Sequence, residues 1–298
     1  MNTVNAATHE QALEAQGLVF AYPTGGVALD GVDFHLACGE FVALLASNGS
    51  GKTTLLKVLV GLLKPTKGAV KLWGREVAAM KQSEICRQVG MVLQNPTDQL
   101  FAATVEEDVA FGPRNLGLSE AQVEERVAES LALVGALPLR KRAIHHISFG
   151  EQKRVAIAGV LAMGPSVLLL DEPSAGLDPA GEAEIMRVLS RLNKERGITV
   201  LLATHSVDML PLFADRIYVL NRGAVLHQGS PEVIFRDDEM VKKAHLRLPY
   251  ISGLLYELKK YDGVPIDGLP LTIGEAREKL LELIPDDVLA ARVPREGA

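Results

Sequence analysis

The chain has 298 residues, 48% of them hydrophobic, and a formal net charge of -6. That hydrophobic fraction excludes a globally disordered protein, and the acidic balance argues against a protein held on nucleic acid by a basic face. Cys38 and Cys86 do not form a C-x-x-C pair, so we expect neither a disulfide framework nor a zinc site, and a reducing cytosol fits. No apolar run approaches the ~20 residues that span a bilayer, and the N-terminus does not resemble a signal peptide. If the protein acts at a membrane, we therefore expect it to do so without entering the lipid.

Short apolar runs separated by turn residues dominate the first third of the chain. We predict a flexible tail at 1–13, followed by one large domain at 14–235. The first runs predict strands, several of them antiparallel, and they read GLVFAYP, GVDFHLACGE, EFVALLA and GAVKLWG. A glycine-rich turn after FVALLA leads into KTTLLKVLVGLL, which predicts a helix, and VGMVLQ at 89–94 predicts a further buried strand.

Helical patterns dominate the next segment, about 95–165, which we predict to be a helical subdomain. Ser119 and Gln122 have the spacing of a helix start, and apolar residues recur on one helical face after them. A second helix is predicted to start at ISFGEQKR (147–154) and to run to about Met163.

The start of that second helix contains an unfavourable residue. Ser148 and Glu151 have the S-x-x-E spacing of a capping box, in which each side chain bonds the backbone of the other residue. Gly150 lies between them, although glycine costs ~1 kcal/mol relative to alanine inside a helix. The stretch is therefore either only a helix cap or a place where a ligand comes close to bare backbone.

Strand and helix patterns alternate in the rest of the large domain, through VLLLDE, AGEAEIMRVLSRL, ITVLLATH and RIYVLN. This alternation predicts a parallel sheet with crossover helices, and therefore an α/β fold. Residues 236–298 are predicted to form a separate extension of two amphipathic helices. The first has the i, i+3, i+4, i+7 spacing from Ile251, and the second follows a capping-box pattern at Thr272 and Glu275. The extension is either a lid that only extends the core or a docking or dimerisation surface.

The stretch ASNGSGKTT (46–54) matches the phosphate-binding loop G-x-x-x-x-G-K-[ST], with Ala46 in place of the first glycine. Such a loop turns its backbone N–H groups around phosphate oxygens, and a small residue fits at Ala46 only with an ordinary negative φ. Lys52 has the reach to contact the β- and γ-phosphates, and the Thr53 hydroxyl suits Mg²⁺. The alternative is a glycine-rich turn without a ligand. The residues predicted to bind nucleotide are Ser47, Asn48, Gly49, Ser50, Gly51, Lys52, Thr53 and Thr54.

Polar side chains follow the other predicted strands. Asp171, at the end of VLLLD, suits a Mg²⁺ ligand, and Glu172 suits a base that orients an attacking water, although two solvated acids are the alternative. His205 follows ITVLL at the edge where α/β sheets bind ligands, in reach of a γ-phosphate and that base. Gln94 ends VGMVLQ, and its amide suits Mg²⁺ or the water, although a lone glutamine without a role is the alternative. Tyr22 either stacks on a base or only packs.

The order of these motifs resembles the ATP-binding cassette ATPases of ABC transporters. They occur as FAYP, ASNGSGKTT, Gln94, ISFGEQKR, LLLDE, AGLD and ATHS, and the resemblance covers roughly 16–235. It implies an α/β P-loop NTPase: a mixed sheet in a RecA-like subdomain, an antiparallel β subdomain, an α-helical signature subdomain and a small C-terminal helical appendage. ISFGEQKR resembles the family signature LSGGQ. The kept positions are Ser148 and Gly150, and the departures are Ile147, Phe149 and Glu151.

The resemblance also implies a mechanism that needs two copies of the chain. ATP and Mg²⁺ bind the phosphate loop of each copy, and the signature helix of the other copy contacts that ATP through Ser148, Gly150 and Glu151. The dimer closes on ATP and opens after hydrolysis, with Tyr22 against adenine and Asp178 at the dimer interface. The implied catalytic residues are Glu172, His205, Gln94 and Lys52, and the implied Mg²⁺ ligands are Thr53, Gln94 and Asp171.

The segment 95–118 and the phrases HLRLPYISGLLYEL and LPLTIGEAR are similar to ATPase subunits of energy-coupling-factor importers, most of all the cobalt-transport (CbiO) type, with nickel-transport relatives close. This implies cobalt import and a peripheral place on the cytoplasmic face of the membrane. The implied partners are a second copy, a transmembrane coupling protein gripped after Gln94, and a substrate-binding membrane subunit. Neither nucleic acid nor direct cobalt binding is expected, and 236–298 is expected to contribute to dimerisation. The alternatives are a nickel or vitamin importer, a soluble P-loop kinase, and a module that uses ATP only as a switch.

Overall fold

The computed structural model describes residues 11–23, 25–236, 241, 244 and 246–284. Its strands, in chain order, are β1 (Gln11–Ala21), β2 (Val27–Ala37), β3 (Phe41–Ala46), β4 (Lys67–Leu72), β5 (Arg75–Glu76), β6 (Val89–Val92), β7 (Val167–Asp171), β8 (Thr199–Thr204), β9 (Arg216–Asn221) and β10 (Ala224–Gly229). Its α-helices are α1 (Lys52–Leu59), α2 (Gln82–Cys86), α3 (Val105–Asn115), α4 (Glu120–Leu133), α5 (Phe149–Leu161), α6 (Pro179–Arg196), α7 (Leu210–Phe213), α8 (Pro231–Arg236), α9 (Tyr250–Tyr261) and α10 (Ile273–Glu282). None of these helices combines the length and apolarity that crossing a bilayer requires.

The strands form two sheets. The first is antiparallel and has the order β2-β1-β4-β5. The second has the order β10-β9-β3-β8-β7-β6, in which every neighbouring pair is parallel except β9 and β10. The carboxyl ends of β3, β7 and β8 therefore meet at one edge, which is where open α/β sheets bind ligands. The expected α/β fold with a mixed sheet is confirmed.

The large sheet is covered on both faces, which explains its continuous apolar strands. Strand β7 is buried along its whole length. Leu168 and Leu170 belong to the apolar core shared with the helical side, whereas Val167 and Leu169 belong to the core shared with α1 and the antiparallel sheet. Successive side chains of one strand therefore join two separate cores.

The predicted flexible tail is wrong at its C-terminal end. Residues 11–13 belong to β1, where Ala12 and Leu13 are fully buried. Leu13 pairs with Leu36 of β2 and with Leu72 of β4, so the apolar side chain and two neighbouring strands hold this segment in place. Residues 1–10 lie outside the described residues.

Three helices, α3, α4 and α5, pack together in the region predicted to be helical. The predicted starts of α4 and α5 are confirmed, since Ser119 and Ser148 accept hydrogen bonds from the backbone of Gln122 and Glu151. Helix α5 ends at Leu161, two residues before the predicted end. Helix α3 lies within the region predicted to be helical, but no sequence pattern was assigned to its ends, although it also begins with a capping box.

One helix and one strand near the site are shorter than predicted. Helix α1 ends at Leu59, and Gly61 has a φ of +72°, which a continuing helix does not allow. Strand β6 ends at Val92, because the next amide, of Leu93, donates to the Gln99 side chain at 2.9 Å. Gln94 consequently lies in a loop after β6 rather than in the strand.

The two helices expected in the extension are present as α9 and α10. They share a small core of Leu255, Ile266 and Ala276. The capping pattern differs in part from the prediction: Thr272 accepts from the Glu275 amide at 3.2 Å, but the Glu275 carboxylate accepts from Leu271 rather than from Thr272.

Candidate active site

The loop between β3 and α1 has the backbone geometry that a phosphate-binding loop requires. Gly49 and Gly51 have φ values of +76° and +101°, which disfavour any residue with a Cβ. At Gly51 a Cβ would also lie 2.5 Å from the Ala28 carbonyl oxygen. Both the backbone angle and the lack of space therefore exclude a side chain at this position. The expected negative φ at Ala46 is confirmed, since this residue ends a regular strand and has no positive φ.

A cavity of about 440 Å³ opens against this loop. Its walls come from the residue after β1, from β2, the phosphate loop, the loop after β6 and the end of β7, so the sheet edge and the helix N-terminus converge on one space. The predicted site residues that line it are Tyr22, Asn48, Gly49, Ser50, Gly51, Lys52, Thr53, Thr54, Gln94, Asp171 and Glu172. Ser47 does not line this cavity; it lines a neighbouring pocket together with His205, and its hydroxyl contacts that of Ser50 at 2.9 Å.

The Lys52 ammonium is buried at the base of the loop. Its Nζ donates to the carbonyl oxygens of Ala46 at 2.9 Å and Ser47 at 3.3 Å, and it lies 3.2 Å from Glu172 Oε1. A buried lysine needs such partners, because an unpaired buried charge is costly. Lys52 therefore joins the phosphate loop to the acidic end of β7.

The Thr53 hydroxyl and the Asp171 carboxylate form a second contact between these elements. Thr53 Oγ1 donates to Asp171 Oδ2 at 2.5 Å, whereas the buried Asp171 Oδ1 has no hydrogen-bond partner. Burial raises the pKa of Asp171 above its ordinary value. A carboxylate and a hydroxyl are oxygen ligands of the kind that Mg²⁺ prefers, and a cation there would satisfy the orphan oxygen. The residues present thus fit Mg²⁺.

Because burial raises the pKa of Asp171 in the folded chain, the folded chain loses stability as the pH rises above the pKa that this carboxyl has in the unfolded chain. We expect Asp171→Asn to raise the melting temperature of the nucleotide-free protein at pH 7 by about 2 °C or more. Differential scanning calorimetry without and with Mg²⁺-ATP measures this, and the variant should lose the part of the nucleotide-induced stabilisation that depends on Mg²⁺. The exposed Asp30, replaced by asparagine, is the control. An unchanged or lower melting temperature for Asp171→Asn alone would contradict the prediction.

Glu172 occupies the centre of the site in an unusual backbone conformation. Its φ is +49°, which is rare for a residue with a side chain. Its amide donates to the Ala203 carbonyl at 2.9 Å, and its Oε2 lies 2.7 Å from His205 Nδ1. His205 follows the end of β8, and its side chain is 56% exposed. The carboxylate is therefore held from two sides, by His205 and by Lys52, and points at the cavity.

Tyr22 stands at the rim of the cavity. Its hydroxyl lies 3.1 Å from Thr54 Oγ1, and its ring packs edge-to-face on Phe20 with the centroids 4.9 Å apart. The residue is still 41% exposed. The ring packs on Phe20 on one side and is exposed to the cavity on the other, and its stacking on a base stays a prediction.

The signature residues and Asp178 are not among the residues that line this cavity. The Ser148 amide donates to Glu151 Oε2 at 2.7 Å, so both residues serve the α5 cap, and that hydrogen bond lowers the pKa of Glu151. Asp178 caps α6 by accepting from the Gly181 amide at 2.7 Å. At Gly150, a Cβ would meet Leu177 at 3.4 Å, an ordinary contact. Nothing in the described part of the chain therefore requires glycine at 150.

Sequence reasoning missed Lys153, whose ammonium is buried in α5 and bonds the carbonyls of Gln94 and Glu172. Burial lowers the pKa of this lysine. The available signal was the charge itself, since lysine stands at a position of α5 that the helical period places on the buried face beside Ala156 and Ile157.

Comparisons with known proteins agree with this geometry. Residues 29–175 match the family model described as ABC transporter. The chain is 47% identical over 274 residues to the energy-coupling factor transporter ATP-binding protein EcfA of Methanocaldococcus jannaschii, an alignment that covers 91% of this chain and 98% of the relative. It is 40% identical, with a TM-score of 0.72, to the solved structure of cbiO1 from Clostridium perfringens, part of the ABC transporter complex cbiONQ, covering 83% of this chain and 100% of that one. An ATP-binding cassette solved as a dimer in a post-hydrolysis state, bound to ADP and Pi, is 28% identical with a TM-score of 0.67, covering 74% and 98%.

Proposed function

Because the chain belongs to the ABC transporter family, as an ATP-binding subunit of the energy-coupling-factor type, we propose that it powers the import of cobalt ion through a membrane-embedded importer. Members of this family are ATPases coupled to transport, and its relatives act as dimers with membrane subunits. The observation that carries the hydrolytic role is the convergence of Lys52, Thr53, Asp171 and Glu172 on one cavity.

Glu172 is the residue that orients the attacking water. In the nucleotide-free arrangement its carboxylate is held between His205 and Lys52. Phosphate oxygens that enter the loop compete for the Lys52 ammonium, because they carry more negative charge than the carboxylate. Glu172 Oε1 then loses its cation and becomes free to accept a hydrogen bond from water, while His205 keeps the carboxylate in place.

Thr53 and Asp171 would hold Mg²⁺, with the Gln94 amide on the same cavity wall. The ion would neutralise negative charge on the phosphates of bound ATP. Tyr22 offers its exposed ring to the adenine at the rim.

A second copy of the chain completes each site. The N-terminus of α5 ends in the exposed residues Ser148 and Phe149 and in Gly150, whose missing side chain has no cause in the described part of the chain. A helix N-terminus with bare backbone suits a phosphate approaching from outside. We assign Asp178, at the exposed N-terminus of α6, to the same proposed head-to-tail interface. The relative solved as a dimer supports this arrangement.

A groove beside the helical subdomain offers a docking surface for the transmembrane coupling protein. It has a volume of about 420 Å³ and lies between α2, α3 and α5. Phe101 and Phe111 line it, stacked edge-to-face with centroids 4.7 Å apart, and they are 65% and 48% exposed. Exposed aromatic pairs of this kind are typical anchors of protein interfaces. Part of the groove lining, from Gln99 to Leu116, follows Gln94 in the chain, so a partner seated there would contact the segment that comes directly after this cavity residue.

We expect the double variant Phe101→Ser, Phe111→Ser to lose co-purification with the coupling protein by at least about tenfold, because hot-spot aromatic residues supply most of an interface's free energy. Pull-down from membranes that express all subunits measures this. Leu212→Ser removes an equally exposed apolar side chain elsewhere and is the control. Equal recovery of the coupling protein with all three chains would contradict the docking surface.

We also propose that the C-terminal extension strengthens the dimer. The Arg247 guanidinium pairs with the Asp208 carboxylate, and the Tyr250 amide donates to the same carboxylate at 2.8 Å. These bonds attach α9 to the segment that follows His205. Beyond this attachment the extension exposes apolar side chains, namely Tyr250, Leu254, Tyr261 and Ile273. Such a surface on a docked extension suits a second copy.

Selectivity for the solute resides in the membrane partner, and the cobalt assignment follows from the similarity of 95–118 and the tail phrases to the cobalt-transport type. The same relationship supports the proposal that the chain attaches peripherally at the cytoplasmic face. The test is purification with the native membrane partners, followed by measurement of which metal ion or vitamin co-purifies and stimulates hydrolysis. Cobalt supports the proposal, whereas nickel or a vitamin reassigns the solute and keeps the transport role.

A further inference from the structure

Lys153 connects three segments that the sequence separates widely. It lies in the second turn of α5 and is 3% exposed. Its Nζ donates to the Gln94 carbonyl at 3.0 Å and to the Glu172 carbonyl at 3.2 Å. One side chain on the signature helix thus bonds the loop after β6 and the residue after β7 at the same time.

The aromatic ring of Phe149, one turn earlier on α5, is the third partner of the Lys153 ammonium. Lys153 Nζ lies over this ring, 5.2 Å from its centroid, at a distance where a cation and an aromatic face attract. The ring also lies against Gly176, whose φ is +79° and where a Cβ would come within 3.2 Å of Phe149 Cε1. The loop before α6 is therefore packed on the same unit.

Packing alone does not explain why a charged residue stands at position 153. Among the described residues Lys153 forms no ion pair, and its ammonium contacts two carbonyl oxygens and one aromatic ring. A buried ammonium is costly to desolvate, and methionine would fill a similar volume without that cost. Unlike methionine, a hydrogen-bond donor at this position can bond the two carbonyl oxygens, and these bonds explain the lysine.

Both carbonyls belong to residues that line the nucleotide cavity. Glu172 in addition has its left-handed backbone at φ +49°, a conformation that persists only where surrounding bonds hold it. Its amide is held by Ala203 and its carbonyl by Lys153. Since the carboxylate projects from this one residue, fixing both peptide groups fixes the direction in which the carboxylate points.

We infer that Lys153 is a positioning residue for ATP hydrolysis, which ties the carbonyls of Gln94 and Glu172 to the signature helix so that the Glu172 carboxylate is aimed at the water only while α5 and the loop after β6 are docked together. The inference rests on the proposed role of Glu172 as the group that orients water. If the coupling protein moves the loop after β6, we expect Lys153 to transmit that movement to the Glu172 carboxylate.

The test is steady-state ATPase kinetics of the full chain with Lys153→Met. We expect kcat to fall at least about tenfold, within the roughly 10²-fold that a 1 Å misplacement costs, with KM for ATP unchanged within about twofold. Lys153→Gln, which keeps one donor, should recover part of the lost kcat. Arg154→Met is the matched control, since it removes a cation from the next position of α5, where Arg154 pairs with Glu184 at 2.9 Å.

A kcat for Lys153→Met equal to that of Arg154→Met, or a rise in KM that accounts for the whole loss, overturns the inference. If Lys153→Met does not fold, as judged by its thermal transition, the same readings on Lys153→Gln decide, and there an unchanged kcat is the contrary result. The variant Glu172→Gln, measured in parallel, separates a failure of the proposed function from a failure of the positioning role of Lys153. Turnover in Glu172→Gln overturns the proposed function, whereas inactive Glu172→Gln beside fully active Lys153→Met overturns only the positioning role.

Discussion

Replacement of Glu172 by glutamine is expected to slow ATP hydrolysis by roughly 10²–10⁴-fold, the range that a positioned general base contributes. The change keeps the size and shape of the side chain and removes only its ability to take a proton. Its carbonyl oxygen can still face Lys52, and its amide can donate to a neutral His205. ATP binding should survive, because the phosphate loop, Thr53 and Asp171 are untouched.

The trapped state is part of the same prediction. If two ATP molecules hold the dimer closed until hydrolysis, Glu172→Gln with Mg²⁺-ATP should run as a dimer, and with ADP it should not. Size-exclusion chromatography with light scattering measures the mass, and a phosphate-release assay measures turnover. The exposed Glu195 on α6, replaced by glutamine, is the matched control and should keep the wild-type behaviour in both assays. Turnover of Glu172→Gln within about threefold of wild type would remove Glu172 as the base, since the loss of a general base costs far more.

The geometry of Glu172 explains why so large an effect can come from one atom. The carboxylate has few alternative positions, because His205 Nδ1 lies 2.7 Å from one oxygen and Lys52 Nζ lies 3.2 Å from the other. A preorganised group loses little freedom when water binds, and this is where catalytic groups gain most over groups in solution. The strained backbone at this residue is consistent with a position that function rather than folding requires.

Sequence patterns predicted those features that depend on neighbours along the chain. The capping boxes at Ser119 and Ser148 involve residues three positions apart, and the buried run VLLLD needs only the knowledge that parallel strands are covered on both faces. The phosphate loop is equally local, since its glycine positions follow from backbone angles within five residues. These features were correct in type, with ends misplaced by a few residues.

Features that depend on distant partners escaped the sequence. The contacts of Lys153 join positions 59 and 19 residues away, and no local period encodes them. Helix α3 contains Gly112 and Pro113, which argue against a helix locally, but a Cβ at Gly112 would lie 2.7 Å from Met163 Cγ, so the position of the Met163 side chain favours glycine there. The buried start of β1 likewise depends on strands β2 and β4. In each case tertiary contact outweighs local propensity.

Two inactive variants mixed together are expected to recover hydrolysis, because in the proposed dimer each nucleotide is enclosed by two copies. Lys52→Met disables the phosphate loop of its own copy, and Ser148→Arg disables the helix tip that the copy offers to its partner. In a mixed dimer both defects fall on one site and the other site is intact. A random equal mixture should therefore regain about one quarter of the wild-type sites, whereas each variant alone has none.

The separate behaviour of Ser148→Arg is equally specific. We expect the isolated chain to bind ATP with nearly wild-type affinity, because Ser148 lies outside the nucleotide cavity of its own copy, while hydrolysis is abolished by the bulk and charge at the interface. The variant also loses a helix cap, worth about 0.5–2 kcal/mol. Ser119→Arg removes the same kind of capping box from α4, away from the proposed interface, and controls for that loss.

Equilibrium binding of a fluorescent ATP analogue and phosphate release on titrating one variant into the other decide between the alternatives. Recovery that follows the fraction of mixed dimers, with Ser119→Arg remaining active, is the result that a shared site demands. If the mixture stays as inactive as its components although mixed dimers form, the signature helix does not complete the partner's site. In that case Gly150 would need another cause, and the described contacts of its own chain offer none, since a side chain there meets only Leu177 at an ordinary distance.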